Sequence, residues 1–114
     1  MTDGSRYERE LKKELENKGY FVIRSAGSFG MDLLAIKKGR VVAAQVKSSK
    51  RKTYYLDKRV KKQLEELKKM EEYGIEGVFA VRFKDYKKTW VFMKSETVST
   101  KVKSTDVSNF NFEK

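Results

Sequence analysis

The chain opens with a segment whose apolar residues have helical spacing. Leu11 and Leu15 lie four residues apart among charged residues, and Gly19 follows shortly after them. This spacing predicts a first helix over residues 6–18, with Ser5 as its N-cap and Gly19 at its end.

A second helix is predicted over residues 57–73. The apolar residues that recur there at intervals of three and four are Val60, Leu64, Leu67 and Met70. Asp57 is placed to cap this helix and Gly74 to stop it.

Five shorter segments are rich in apolar and β-branched residues and have no helical spacing. They cover residues 20–24, 32–36, 40–47, 77–83 and 89–93, with turn glycines between the first three. The resulting order, αβββαββ, predicts an α/β fold in which helices flank a mixed central sheet. The 114 residues are expected to form one domain. The polar tail, residues 95–114, is expected to hold a short edge strand at 97–102 or to be loosely ordered.

Charge then narrows the class of partner. The 27 Lys and Arg outnumber the 16 Asp and Glu, and the formal net charge is +11. An excess of this size on a small domain favours a polyanionic partner, with nucleic acid as the first candidate. A basic surface kept for solubility is the alternative, and charge alone does not choose between DNA, RNA and anionic lipid.

The absence of two residue types narrows the chemistry. The chain has no Cys and no His, so any catalysis has to use carboxylates, Lys or Tyr. A metal ion held without Cys or His is expected to be Mg²⁺ or Mn²⁺. There is no long apolar stretch and no secretion signal, so we expect no membrane partner and a cytoplasmic location, in a prokaryote or a virus-infected host cell, without secretion.

Three polar residues are predicted to meet at the ends of two strands. Asp32 starts one strand, and Gln45 and Lys47, two residues apart, point to one face of the next. Phosphodiester hydrolysis without His needs an acid to hold Mg²⁺ at the phosphate and a cation to stabilise the transition state. Asp32 and Lys47 fit these roles, and Glu8 on the first helix would supply a further carboxylate. Alternatively, Asp32 is a turn residue and Lys47 a solvated charge.

A family resemblance rests on several segments taken together. They are residues 4–10 (GSRYERE), 19–28 (GYFVIRSAGS), 32–36 (DLLAI), 45–47 (QVK) and 55–59 (YLDKR), followed in order by 73–83 and Trp90. Over residues 1–93 the chain resembles the archaeal Hjc-type Holliday junction resolvases, members of the PD-(D/E)xK nuclease superfamily.

This resemblance implies a restriction-endonuclease-like fold, a homodimer and paired nicking of four-way DNA junctions with Mg²⁺, for which Mn²⁺ would substitute. By position, Glu8 and Asp32 would be metal-site acids and Lys47 the catalytic lysine. The residues it assigns to activity on DNA or places near DNA are Arg9, Arg24, Ser28, Tyr55, Lys58, Arg59 and Arg82.

Gln45 departs from the family pattern, which has Glu there as the second metal-binding acid. Gln45 keeps its place in the predicted catalytic and metal site, but a neutral amide gives up a negative charge and should bind Mg²⁺ more weakly. Three interpretations stay open: a natural QxK variant, an inactivating replacement of Glu, and a binding-only relative. In a natural variant, Asp32, Glu8, the Val46 carbonyl and the DNA phosphate would hold the ion. The presence of Glu8, Asp32 and Lys47 together favours an active resolvase or a form derived from one.

A basic segment, residues 47–62 (KSSKRKTYYLDKRVKK), is predicted to contact DNA phosphates through residues that include Lys50, Arg51 and Lys52. A solvated charge run is the alternative. The apolar stripe of the second helix, or the strand at 77–83 with Phe92 and Met93, is expected to form part of the dimer surface.

Two other functions compete with a resolvase. One is a non-catalytic module that binds branched DNA, which Gln45 and the basicity favour. The other is a different PD-(D/E)xK nuclease that acts on branched or flapped DNA.

Overall fold

The computed structural model describes residues 3–25, 30–85 and 89–113 of the chain. Its helices and strands are α1 Asp3–Asn17, β1 Phe21–Arg24, β2 Leu33–Lys37, β3 Arg40–Ser49, β4 Thr53–Tyr55, α2 Lys58–Lys68, β5 Glu76–Phe83, β6 Thr89–Lys94 and β7 Lys101–Lys103. A 3₁₀ helix, Lys69–Tyr73, continues α2, and another, Ser95–Thr97, follows β6. None of the helices in these ranges is both long and apolar enough to cross a membrane.

The first helix starts earlier than its apolar spacing predicts. It begins at Asp3, so Ser5 lies inside the first turns and is not the cap. Ser5 instead accepts a hydrogen bond from the Arg24 guanidinium at 3.0 Å. Leu11 and Leu15 are fully buried as predicted, and Gly19 follows the helix with φ +93, a backbone conformation that favours glycine.

Five strands form one mixed sheet in the order β1-β2-β3-β5-β6. The β1–β2, β2–β3 and β5–β6 pairs are antiparallel, and β3 and β5 are parallel. The crossover between the two parallel strands contains α2, as such connections usually do. The predicted α/β fold with a mixed sheet flanked by helices is confirmed.

The side chains of β3 alternate between two core layers, one on each face of the sheet. Val42, Ala44 and Val46 pack on the α1 side, and Ala43 packs on the α2 side. The α1 layer also holds Tyr7, Leu11, Leu15, Tyr20, Val22, Leu33, Ala35, Val78, Ala80, Phe110 and Phe112. By this alternation Gln45 and Lys47 belong to the α2 face.

The C-terminal tail packs on the domain in two places. The edge strand expected over 97–102 is found as the shorter β7, which pairs with β4 in a separate two-stranded sheet that the predicted αβββαββ order does not include. Farther on, the backbone N–H groups of Asn109 and Phe110 donate to the Phe92 carbonyl on the edge strand β6. Phe110 and Phe112 are 6% and 4% exposed, so the end of the tail contributes to the core.

Candidate active site

Asp32 lies immediately before β2 and is tied to β3 by two hydrogen bonds. Its backbone N–H donates to the Ala44 carbonyl at 2.8 Å, and its side-chain Oδ2 accepts from the Val46 N–H at 2.7 Å. Since Leu33 pairs with Ala44, the next position along the same antiparallel register puts Asp32 opposite Gln45. Directly opposed residues share a face, so both side chains lie on the α2 side.

Gln45 and Lys47 converge on one residue of α2, Gln63. Gln45 is 2% exposed, and its Nε2 donates to Gln63 Oε1 at 2.7 Å. The half-buried Lys47 donates through Nζ to the same oxygen at 3.2 Å. The remaining polar atom of the Gln45 side chain, Oε1, is buried and has no hydrogen-bond partner within the described residues. An unpartnered buried acceptor is costly and points to a donor or cation that completes the site.

The segment before Asp32 lies against the backbone of α2. Gly30 has φ +70, and a Cβ added there would be 2.1 Å from the Gln63 carbonyl oxygen. Only glycine permits both this φ and this distance. Gly30 thereby brings α2, and with it Gln63, next to the start of β2.

Burial shifts the pKa values of Asp32 and Lys47 in opposite directions. It raises the pKa of the Asp32 carboxyl, the Val46 N–H opposes this rise, and the nearby charge of Glu8 adds to it. Burial lowers the pKa of the Lys47 ammonium, and the Asp32 charge opposes this fall. Arg59 lowers the pKa of Lys47 further, so the first turn of α2 also contributes to the field at this site.

Glu8 reaches the site from α1, on the other face of the sheet. Its Oε1 accepts from the Arg24 guanidinium at 3.2 Å, and Glu8 is half-buried. Because its charge acts on both Asp32 and Lys47, Glu8 belongs to the same electrostatic cluster. The structure thus brings together the predicted residues Glu8, Arg24, Asp32, Gln45 and Lys47. Val46 lies on β3 between Gln45 and Lys47.

The other predicted DNA-binding residues fall into two groups. Around the β3–β4 turn and the start of α2, exposed side chains form a basic surface: Lys50, Arg51, Lys52, Tyr55, Lys58 and Arg59. Arg9 is exposed on α1 and Arg82 is half-buried on β5. Arg82 pairs with Glu10 at 3.1 Å and lies over the Tyr7 ring, on the α1 face, so it is not brought to Lys47. Ser28 lies outside the described residues.

Comparison with known proteins identifies the family. The model of the archaeal Holliday junction resolvase (Hjc) family matches residues 1–111, nearly the whole chain. This chain belongs to that family. The crossover junction endodeoxyribonuclease Hjc of Methanocaldococcus jannaschii is 51% identical over 55 residues, which are 48% of this chain and 41% of that protein. The aligned segment is therefore less than half the length of this curated relative.

A solved Hjc structure shares the fold. The Holliday junction resolvase Hjc of Archaeoglobus fulgidus superposes with a TM-score of 0.76 and 25% sequence identity, over 91% of this chain and 86% of that one. This likeness includes the mixed sheet and the two helices, so the predicted restriction-endonuclease-like architecture is that of an Hjc protein.

Nucleases of resolvase families generally use a divalent metal ion. No group of three or more acidic side chains that could hold a metal is found among the described residues. Mg²⁺, however, is typically held by one or two carboxylates, with waters and substrate phosphates completing its shell. Asp32 and Glu8 supply that number, and Gln45 Oε1, unpartnered among the described residues, supplies a neutral oxygen on the face that Gln45 shares with Asp32.

The sequence did not indicate one residue of the active site, Gln63, or one part of the basic surface, strand β7. Gln63 carries no motif, and only its position three residues after Val60 on a capped helix would have suggested an inward direction. Lys101 and Lys103 belong to β7, opposite Tyr55 and Thr53 of β4. Both lysines are exposed, so β7 widens the basic surface beside Tyr55.

Proposed function

We propose that this chain is a structure-specific endodeoxyribonuclease that resolves four-way DNA junctions with Mg²⁺. The observation that carries the proposal is the convergence of Asp32, Gln45 and Lys47 at one end of β2 and β3, with Gln45 Oε1 left without a partner among the described residues, in a member of the Hjc family. We propose further that residues 1–114 act as a single nuclease domain in the cytoplasm.

Each site residue has a role that its contacts support. Asp32, Glu8, Gln45 Oε1 and the Val46 carbonyl would hold the ion, which supplies a Lewis acid at the scissile phosphate. The Val46 N–H holds the Asp32 carboxyl in position. Lys47 keeps its ammonium beside the Asp32 charge and against Gln63, where it stabilises the negative charge that develops on the phosphate.

The basic surface around the β3–β4 turn binds the arms of the junction through their phosphates. It comprises Lys50, Arg51, Lys52, Tyr55, Lys58, Arg59, Lys101 and Lys103. Contacts of this kind do not depend on base sequence, and a four-way junction is distinguished by the placement of its arms. Arg24 lies next to Glu8 at the site itself, whereas Arg9 and Arg82 would act from the α1 face.

An exposed apolar surface on the α2 face supports the homodimer. Phe21 and Ile23 on the edge strand β1 are 66% and 45% exposed, and they pair with Ile36 and Leu34 on β2. Tyr73, 74% exposed, flanks a groove that Met31, Met70 and Ile75 line. An exposed apolar surface on a small chain is typical of an interface. The alternative dimer surface, the strand at 77–83 with Phe92 and Met93, stays a prediction: the strand is mostly buried between β3 and β6, and Phe92 and Met93 are half-buried on the edge strand β6.

Sedimentation tests this surface. We expect Phe21→Lys to give monomers where the unchanged chain gives dimers, because a charge there would be buried without a partner. Val107, 85% exposed and far from β1 in sequence, supplies the matched control as Val107→Lys. A dimer that survives Phe21→Lys would exclude this face.

Cleavage of a substrate panel tests the activity. Four-way, three-way and linear DNA of matched sequence are incubated with Mg²⁺ and the chain or its Gln45→Glu variant, and binding is measured without metal. We expect cleavage of the four-way junction above the others, and tighter Mg²⁺ binding by the variant, since a carboxylate binds Mg²⁺ more tightly than an amide. Equal cleavage of three-way or linear DNA would instead indicate a different nuclease.

A second candidate, a module that binds branched DNA without cutting it, is favoured by one observation. Gln45 gives the metal site one negative charge fewer than the family pattern, and binding of DNA phosphates by the basic surface needs no metal ion. Tight junction binding with no cleavage by either form would establish this alternative.

A further inference from the structure

We propose that Gln63 is a positioning residue of the active site, whose side-chain carbonyl oxygen orients both Gln45 and Lys47. This inference rests on the proposed nuclease function and goes beyond it, because it assigns a role to a residue of α2 that lies outside the motif on β2 and β3. Two hydrogen bonds end on Gln63 Oε1, from Gln45 Nε2 at 2.7 Å and from Lys47 Nζ at 3.2 Å.

The bond to Gln63 sets the orientation of the Gln45 amide. A carboxamide carries its donor and its acceptor on opposite branches of one plane. Since Nε2 is held by Gln63, Oε1 is on the other branch of the amide, and the Gln45 side chain lies on the face that it shares with Asp32. Oε1 is buried there without a partner within the described residues, so the hydrogen bond to Gln63 keeps an acceptor available to a cation.

The same oxygen fixes the ammonium of Lys47. The long side chain of a lysine has several rotamers, and ordering it costs conformational entropy. The hydrogen bond to Gln63 holds the ammonium on the face of the sheet where Gln45 also lies. The charge of Asp32 acts on the ammonium there. One acceptor atom therefore sets the spacing of the neutral ligand and the cation.

Gln63 is itself held in place by the segment before β2. The Gly30 backbone lies so close to α2 that a Cβ there would reach within 2.1 Å of the Gln63 carbonyl oxygen. The segment that leads to Asp32 and the helical turn that holds Gln63 are thus packed in contact. Gln63 is held from the backbone side by Gly30 and from the side-chain side by Gln45 and Lys47.

The Gln45–Gln63 pair also bears on the unusual amide at position 45. Here Gln63 offers its oxygen to an amide donor and to an ammonium at once. A carboxylate at position 45 has no donor, so Gln63 would have to turn its Nε2 toward position 45 and release Lys47. In this chain the Gln45 amide donates to the side-chain carbonyl oxygen of Gln63, so the two side chains fit each other and Gln45 is an integral part of the site.

Three variants separate the acceptor from mere packing. Gln63→Met keeps the length of the side chain and loses the acceptor, and Gln63→Glu keeps an acceptor for both partners. Glu65→Met introduces the same residue at an exposed position of the same helix, as the control. Mn²⁺ affinity is measured on DNA-free protein by calorimetry, next to single-turnover cleavage, metal-free junction affinity and the unfolding midpoint.

We expect Gln63→Met to bind Mn²⁺ about tenfold more weakly and to cut at least tenfold more slowly, since it loses two hydrogen bonds of ordinary strength. The junction affinity of Gln63→Met without metal should stay within about twofold of that of the unchanged chain. Gln63→Glu should retain metal binding. Glu65→Met should behave as the unchanged chain in every measurement.

Two results would overturn the proposal: wild-type Mn²⁺ affinity in Gln63→Met, or equal losses in Gln63→Met and Gln63→Glu, because the acceptor would then be irrelevant. A chain that binds Mn²⁺ but cuts no junction would refute the proposed activity, and the Mn²⁺ measurements would still decide the role of Gln63.

Discussion

Alanine at position 30 tests how closely the segment before Asp32 packs on α2. A Cβ on Gly30 would lie 2.1 Å from the Gln63 carbonyl oxygen, 3.0 Å from its carbonyl carbon and 3.2 Å from the Leu67 nitrogen. Gly39 has nearly the same backbone, φ +77 against +70, and no described residue lies within 4 Å of the corresponding Cβ. Gly39→Ala therefore carries the backbone cost alone, and Gly30→Ala carries the same cost plus the overlap.

The magnitudes follow from this comparison. A left-handed backbone conformation costs alanine about 1–2 kcal/mol, which we expect for Gly39→Ala. Overlap with backbone atoms, which cannot rotate away, adds about 1–3 kcal/mol, so Gly30→Ala should lose about 2–5 kcal/mol. At roughly 4 °C for each kcal/mol in a domain of this size, the two unfolding midpoints should differ by about 4–12 °C.

Thermal unfolding of the metal-free protein measures both variants. Cleavage is then assayed at a temperature at which both are folded, and Gly30→Ala alone should be slowed, because α2 and Asp32 are forced apart. Equal unfolding midpoints for the two variants would refute the close approach and the placement of Gln63 that depends on it.

Three further predictions concern separate parts of the molecule. Burial raises the pKa of the Asp32 carboxyl, so its charged form destabilises the metal-free fold at pH values above the ordinary carboxyl pKa. Asp32→Asn should therefore raise the free energy of unfolding at pH 7 and abolish cleavage. The gain in stability should disappear as the pH falls below the ordinary carboxyl pKa. A loss of stability at pH 7, measured by urea unfolding, would contradict this. Phe112→Ala should cost about 3–5 kcal/mol in urea unfolding, because the ring is 4% exposed, and a cost below about 1 kcal/mol would exclude a packed tail. Lys101→Gln with Lys103→Gln should lower the salt dependence of junction binding by about 0.9 in slope for each phosphate that is no longer neutralised, and an unchanged slope would remove β7 from the DNA surface.

The elements with strong local signals were predictable from the sequence. Leu11 and Leu15 in α1, and Val60, Leu64 and Leu67 in α2, recur at helical spacing because one face of each helix is buried. The convergence of Asp32 with Gln45 and Lys47 followed from the order of the strands and the alternation of side chains. These features can be predicted from the spacing of apolar residues along the chain and the pairing of neighbouring strands.

The remaining features depend on contacts between distant parts of the chain. β4 and β7 are three residues each and pair across nearly fifty positions, so neither carries a periodic signal of its own. Phe110 and Phe112 alternate with polar residues in a tail that otherwise looks solvated. Gln63 is polar on a charged helix, and its inward direction depends on what β3 presents to it.

Paired incision of a cruciform decides whether the chain acts as a dimeric resolvase. A supercoiled plasmid that extrudes one four-way junction is cut by this chain with Mg²⁺, with Asp32→Asn as the inactive control. Two symmetric nicks made while one dimer stays bound convert the plasmid to its linear form. We expect linear product without accumulation of nicked circles. Accumulation of nicked circles, or binding without any cut, would contradict a dimeric resolvase.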